Sequence, residues 1–258
     1  MMRMRDPQRI PSVLDELSRT WEAQPDVTLA HIWAQLQARG VALNSSDAEV
    51  VDALREVRRD FPLSLSFPDA TSEQPACVFI ETEGPDRKIS LNFRGEEAWI
   101  VVRTTANPGA KRARRISENE PQPGVWQVSE LGKCVAGQPL QVKDMDGISH
   151  RLGVIRQMRA LDPELDGGEA DELEGLNLSG TRHSQWSGDT YLVQLEDNST
   201  ILVDQTLRLW EQERREVHSR VLQWQRLDEC ETGAALKFTD KSGAQHELTK
   251  VARILRVG

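Results

Sequence analysis

LGKCVAGQPLQVKDMDGISHRL, residues 131–152, returns as LDECETGAALKFTDKSGAQHEL, residues 227–248. The two stretches align without a gap at an offset of 96 residues and share eight identities: Leu131/Leu227, Cys134/Cys230, Gly137/Gly233, Leu140/Leu236, Asp144/Asp240, Gly147/Gly243, His150/His246 and Leu152/Leu248. Average composition gives roughly one or two by chance, so the chain carries a duplicated module. Leu140 and Val142, like Leu236 and Phe238, alternate with polar residues, the period of a strand with one buried face. Asp144-Met145-Asp146-Gly147 and Asp240-Lys241-Ser242-Gly243 then end on a glycine, which reaches φ > 0 without a Cβ clash and closes a short loop. A second strand begins at the histidine of each copy. Each copy is therefore predicted to be a β-hairpin. Two strands alone are marginal in water, so each hairpin needs the strands upstream of it.

Those strands are legible. Before the first copy, 77–80 (CVFI), 89–93 (ISLNF) and 99–102 (WIVV) are separated by Gly84-Pro85-Asp86 and Gly95-Glu96 turns, and 125–128 leads into the hairpin. Before the second, 191–193 (YLV) and 201–203 (ILV) flank an Asp197-Asn198 turn, and the chain runs on to Val221 and Trp224. Residues 205–220, QTLRLWEQERREVHSR, read two ways: the Glu/Arg run favours a helix, whereas alignment with the first unit favours a strand. Four or five short strands per unit suit a small barrel or sandwich of SH3-like or Tudor-like proportions.

The first 60 residues follow a different period. Ile10, Val13, Leu14, Leu17 and Trp21 recur at helical spacing after Asp6-Pro7, and Pro25 ends that element. Residues 26–28 offer capping oxygens to a second helix carrying Leu29, Ile32, Trp33 and Leu36, which stops at Gly40. Ser46 and Glu49, at capping-box spacing, open a third with Val50, Val51, Leu54 and Val57. Leu63, Leu65 and Phe67 alternate as an edge strand or docked tail would.

RDPQRIPSVLDELSRTWEAQPDVTLAHIWAQL followed by SSDAEVVDALREV resembles the short bacterial YihD-like proteins. The matching residues are Arg5, Asp6, Pro7, Arg9, Ile10, Leu14, Leu17, Trp21, Pro25, Asp26, Leu29, Leu36 and Asp47, within the first 57 positions. The resemblance implies a helical fold and no activity. Val27-Thr28 departs from the Leu-Arg pair common in those proteins.

Composition bounds the class. The 258 residues are 38% hydrophobic and 28% charged, with no apolar run long enough to span a bilayer. The residues after Met1 are positively charged but lack an apolar stretch, which argues against a secretory signal. Three scattered cysteines, Cys77, Cys134 and Cys230, do not make a disulfide framework and point to a reducing cytoplasm. A net charge of −9 argues against unspecific nucleic-acid binding. Residues 76–160, with 13 basic and 10 acidic side chains, are nevertheless positive, whereas 162–174 hold seven carboxylates and no base, as a solvated linker would.

Few constellations carry chemistry. The paired Cys134/His150 and Cys230/His246 suggest a shared Cys2His2 metal site, but their spacing is unlike that of zinc motifs and a cysteine beside a strand is usually core. Asp144 with Asp146 is better explained as turn chemistry, since Ser242 replaces the second carboxylate. Phosphate-loop, dinucleotide-binding, zinc-protease and nucleophile-elbow motifs are missing. Trp99, Trp126, Trp186, Trp210 and Trp224 suit either an aromatic cage or core filling. The sharpest candidate is the basic run Lys111, Arg112, Arg114 and Arg115, placed to contact phosphates, with Glu118 and Glu120 nearby as the alternative partners.

The sequence thus predicts an α+β multidomain chain: a three-helix domain at 1–67, a small antiparallel β-barrel unit at 76–160, an acidic linker at 161–182 and a related barrel at 183–258. The expected role is a non-enzymatic interaction or adaptor module of the bacterial cytoplasm, with a protein partner and with no cofactor, metal or membrane. One alternative is a nucleic-acid or ribosome-associated binder using Lys111, Arg112, Arg114 and Arg115. A second is an enzyme with its site between the two β units.

Overall fold

The computed structural model describes residue 7 and residues 9–67, 75–104, 121–161, 176–186, 188–213 and 216–258. Three helices come first, α1 (Arg9–Glu22), α2 (Leu29–Ala38) and α3 (Asp47–Asp60). Thr28 caps α2 by accepting the His31 N–H. At α3 the capping box is complete: the Ser46 hydroxyl accepts the Glu49 N–H while the Glu49 carboxylate accepts the Ser46 N–H at 2.6 Å. Ile32, Leu36, Val41, Ala53, Leu54 and Val57 form the core of this layer. The Trp21 indole donates to the Val27 carbonyl at 2.8 Å and ties down the Pro25-Asp26 turn, which frees Asp26 to pair with Arg156 of the first β unit.

A short strand, β1 (Ser64–Leu65), leads out of the helices and pairs with β6 (Cys134–Val135). The first β unit comprises β2 (Cys77–Glu83), β3 (Arg87–Arg94), β4 (Glu97–Thr104), β5 (Gly124–Leu131), β7 (Pro139–Asp144) and β8 (Ser149–Leu161). These six close as an antiparallel barrel in the order β2-β3-β4-β5-β7-β8. Val78, Ile80, Ile89, Leu91, Ile100, Leu140 and Leu152 fill its interior.

The second unit repeats the path with β9 (Tyr191–Leu195), β10 (Thr200–Val203), β11 (Leu207–Glu213), β12 (Glu216–Leu222), β13 (Trp224–Glu229), β14 (Ala235–Asp240) and β15 (Gln245–Arg256). Its sheet order is β12-β11-β10-β9-β15-β14-β13, with Gln223 joining the two ends covalently where the first unit has the single strand β5. Registers coincide pair for pair. Val128 faces Asp144 and Trp224 faces Asp240; Val142 faces His150 and Phe238 faces His246. Further out, Ile80 faces Met158 and Ile89, as Val193 faces Ile254 and Ile201. The glycines of the two hairpin turns, Gly147 and Gly243, take φ of 80° and 85°.

The helical reading of 205–220 is corrected: residues 207–213 and 216–222 form the paired strands β11 and β12. Leu207 and Leu209 point into the core and Trp210 is buried on the opposite face, so two-sided burial outweighs the helix propensity of the Glu/Arg run. The stretch assigned to an acidic linker also ends inside the second unit. Leu178 is buried in its core, and the Leu178 and Gly180 N–H groups donate to Cys230 and Leu227 carbonyls at 2.9 and 2.7 Å. Residues 162–175, which hold the acidic run, lie outside the described residues.

The two β units are packed on each other. Trp99, Val101 and Val125 on the outer side of β4 and β5 meet Leu192, Leu202, Trp210, Leu255 and Val257 on the outer side of β9, β10, β11 and β15. The Arg253 guanidinium lies 3.3 Å from the Trp99 ring centroid. The Ser90 hydroxyl donates to the Val257 carbonyl at 3.0 Å, and Gln122 donates to Thr200 at 2.9 Å. The two faces share the equivalent positions Ser90/Leu202 and Arg103/Trp210, but the first unit adds Trp99 and Val101 and the second adds Leu192 and Leu255, so the contact is offset, head-to-tail rather than isologous.

Candidate functional site

The residues singled out by the duplication hold the hairpins together. In the first copy Asp144 accepts the Ile148 N–H through Oδ1 at 2.8 Å, and its Oδ2 lies 2.8 Å from His150 Nε2. In the second Asp240 Oδ1 accepts from the Ser242 and Ala244 N–H groups, and Oδ2 again lies 2.8 Å from His246 Nε2. The imidazole bond holds the Asp144 carboxyl below its usual range; at Asp240 the Ser242 hydroxyl does so first and His246 second. Each histidine also stacks on one aromatic ring, His150 on Trp126 at 4.4 Å and His246 on Phe238 at 4.7 Å. These rings come from different strands: position 126 in the first copy corresponds to Leu222 in the second, and Phe238 to Val142.

The cysteines lie elsewhere. Cys134 Sγ is 3.6 Å from Met158 Sδ inside the first barrel, and Cys230 belongs to the second core. Cys and His of one copy thus point to different partners. Among the described residues no group of three or more His, Cys, Asp or Glu is placed to hold a metal ion. Burial pushes the thiols of Cys77, Cys134 and Cys230 up to about 12.

The tryptophans divide between cores and interfaces. Trp224 is buried in the second unit with Trp186 edge-on at 5.1 Å, and their indoles donate to the Asp204 and Asp189 carbonyls. Trp186 also meets Tyr191 edge-on at 5.6 Å, so these rings fill the space between one another. Trp99 and Trp210 belong to the contact between the β units, which apolar side chains occupy. The basic run Lys111, Arg112, Arg114 and Arg115 lies outside the described residues.

The structure assembles a cleft that no sequence motif marks. It measures about 520 Å³ and opens where all three units meet. The helical layer contributes Gln24, Val27, His31, Gln35 and Phe61; the second β unit contributes Thr190 and Gly258. The first β unit supplies its floor, Phe79, Glu81, Lys88, Arg103, Gln157 and Arg159, from the outer side of β2, β3, β4 and β8. Its polar groups are partly ordered by one another. Gln24 and Gln35 exchange amide hydrogen bonds at 2.9 and 3.3 Å, Gln157 donates to Glu81 at 3.3 Å, and Arg103 donates to the Val257 carbonyl. Arg159 lies 5.8 Å above the Phe79 ring centroid. These residues come from α2, four strands and the connections at positions 24, 27, 61, 190 and 258, scattered along the chain, so only the outward alternation on the strands could have flagged some of them.

No protein-family model matches the chain, and comparison with the curated proteins gives no match. Among the described residues no helix is long and apolar enough to cross a membrane.

Proposed function

We propose that this chain is a non-enzymatic interaction or adaptor protein of the bacterial cytoplasm, in which two SH3- or Tudor-like barrels serve as docking faces. The observation that carries the reading is that the outer barrel face does the binding within the molecule itself: β9, β10, β11 and β15 hold the neighbouring barrel through Leu192, Leu202, Trp210 and Leu255. Barrel interiors are packed with side chains, and the cleft at the three-way junction is lined by amides, cations and an aromatic floor. Three buried thiols without disulfides support a reducing compartment, and the likeness of residues 1–57 to YihD-like proteins supports a bacterial source. Affinity capture with the full chain from its native extract is expected to retain one protein in stoichiometric amount. Capture of none, together with turnover of a small molecule, overturns the reading.

The nucleic-acid reading draws on the positive balance of residues 76–160 and on Lys111, Arg112, Arg114 and Arg115. Replacing those four by Ala without loss of RNA or DNA retention at low salt removes it.

A further inference from the structure

The cleft floor and the docked face of the second unit are the same surface of the repeated fold. Leu192 pairs with Leu202 and Leu255, as Phe79 pairs with Ser90 and Arg159. Trp210 faces Thr200 as Arg103 faces Lys88, and Arg253 faces Gln194 as Gln157 faces Glu81. The second unit uses this surface, Leu192, Trp210, Arg253 and Leu255, to hold another β face. In the first unit the same surface is covered in part by the helical layer and, at Ser90 and Arg103, by Val257 of the second unit, and the rest opens as the cleft of about 520 Å³.

Its chemistry has changed with its occupant. Where the second unit has Leu255, Trp210 and Thr200, the first has Arg159, Arg103 and Lys88, while the aromatic Phe79 keeps an apolar centre. Among the described residues neither Lys88 nor Arg159 forms an ion pair, and Glu81, the cross-strand neighbour of Lys88, accepts from Gln157 at 3.3 Å. We propose that the cleft is the docking site for an acidic peptide segment of a partner protein, with carboxylates on Lys88 and Arg159 and one apolar side chain over Phe79. Glu81, standing among the cations, disfavours a continuous phosphate backbone, whereas a peptide can place its carboxylates around it. The proposal rests on the interaction-protein reading above and names its site and partner chemistry.

The test uses the full chain and a fluorescent Asp/Glu-rich peptide of about ten residues, ~33 Å when extended, containing one Leu, followed by anisotropy. Saturable binding is expected, weakened at least ten-fold in the Lys88→Glu/Arg159→Glu variant and by raised salt, with the melting temperature unchanged. Phe79→Ala is expected to erase the advantage of the Leu-containing peptide over one with Ser in its place. Equal binding by the double variant, or an oligonucleotide of equal charge binding as tightly, overturns the proposal. If the double variant still captures the stoichiometric partner, the interaction reading stands and the cleft assignment falls; if the wild-type chain binds neither peptide nor partner, both fall.

Discussion

Asn92 treats Arg256 as a strand neighbour. Its Nδ2 donates to the Arg256 carbonyl at 3.0 Å and its Oδ1 accepts the Arg256 N–H at 3.0 Å, so one amide side chain stands in for a backbone rung between the first barrel and β15. Asn92→Ala removes the acceptor of the Arg256 N–H and one of two donors to the Arg256 carbonyl, which keeps the Cys77 thiol at 3.4 Å, and is expected to cost about 1–3 kcal/mol, read as a lower urea midpoint with an unchanged slope.

Trp210 and Trp224 are both buried tryptophans of the second unit with different tasks. Trp210 faces the first β unit, whereas Trp224 faces its own core. Either change to Ala is expected to cost about 3–5 kcal/mol. Trp210→Ala is expected to split a single unfolding transition into two, because it uncouples the units. Trp224→Ala is expected to lower only the second unit. Two-probe equilibrium unfolding separates the outcomes.

The hairpin clasps set an acid limit. Asp144 and Asp240 have folded-state pKa values below their unfolded ones, so their contribution is fully present above the ordinary carboxylate value of about 4 and is lost as pH falls through the lower folded value. Melting temperature measured against pH is expected to fall less steeply on the acid side for Asp144→Asn/Asp240→Asn than for the wild-type chain.

Thiols pushed up to about 12 are protonated at neutral pH, and all three are buried. Iodoacetamide is therefore expected to leave Cys77, Cys134 and Cys230 unmodified in the native protein and to alkylate all three in concentrated guanidinium. Rapid native labelling at any one would show that its surroundings open.

The duplication was legible because its identities sit where backbone geometry is demanding: glycines at φ > 0, small buried cysteines and turn aspartates. What the spacing concealed was the partner of each histidine. A cysteine sixteen residues upstream suggests a ligand set, while the carboxylate six residues upstream reads as turn chemistry. The contact between the two β units was written more openly than the alternation of the hairpins suggested. Tyr191-Leu192-Val193, Ile201-Leu202-Val203 and Trp99-Ile100-Val101-Val102 are apolar on both sides, the mark of strands covered on two faces. The alternating PLQVKD and ALKFTD strands leave one face to water. The cleft was illegible because it exists only once helices, β2, β3, β4, β8 and the end of the chain converge.

A head-to-tail contact between like modules carries a hazard, since an unclosed series of such contacts grows into a fibre. The sequence ends the series after one step. At the positions where the first unit presents Trp99 and Val101, the second unit presents Thr206 and Arg208, the latter engaged by Asp204. The tandem is thus a polymer of length two, blocked at both tips: at the other end Lys88, Arg103 and Arg159, beneath the helical layer, stand where the second unit docks through Thr200, Trp210 and Leu255.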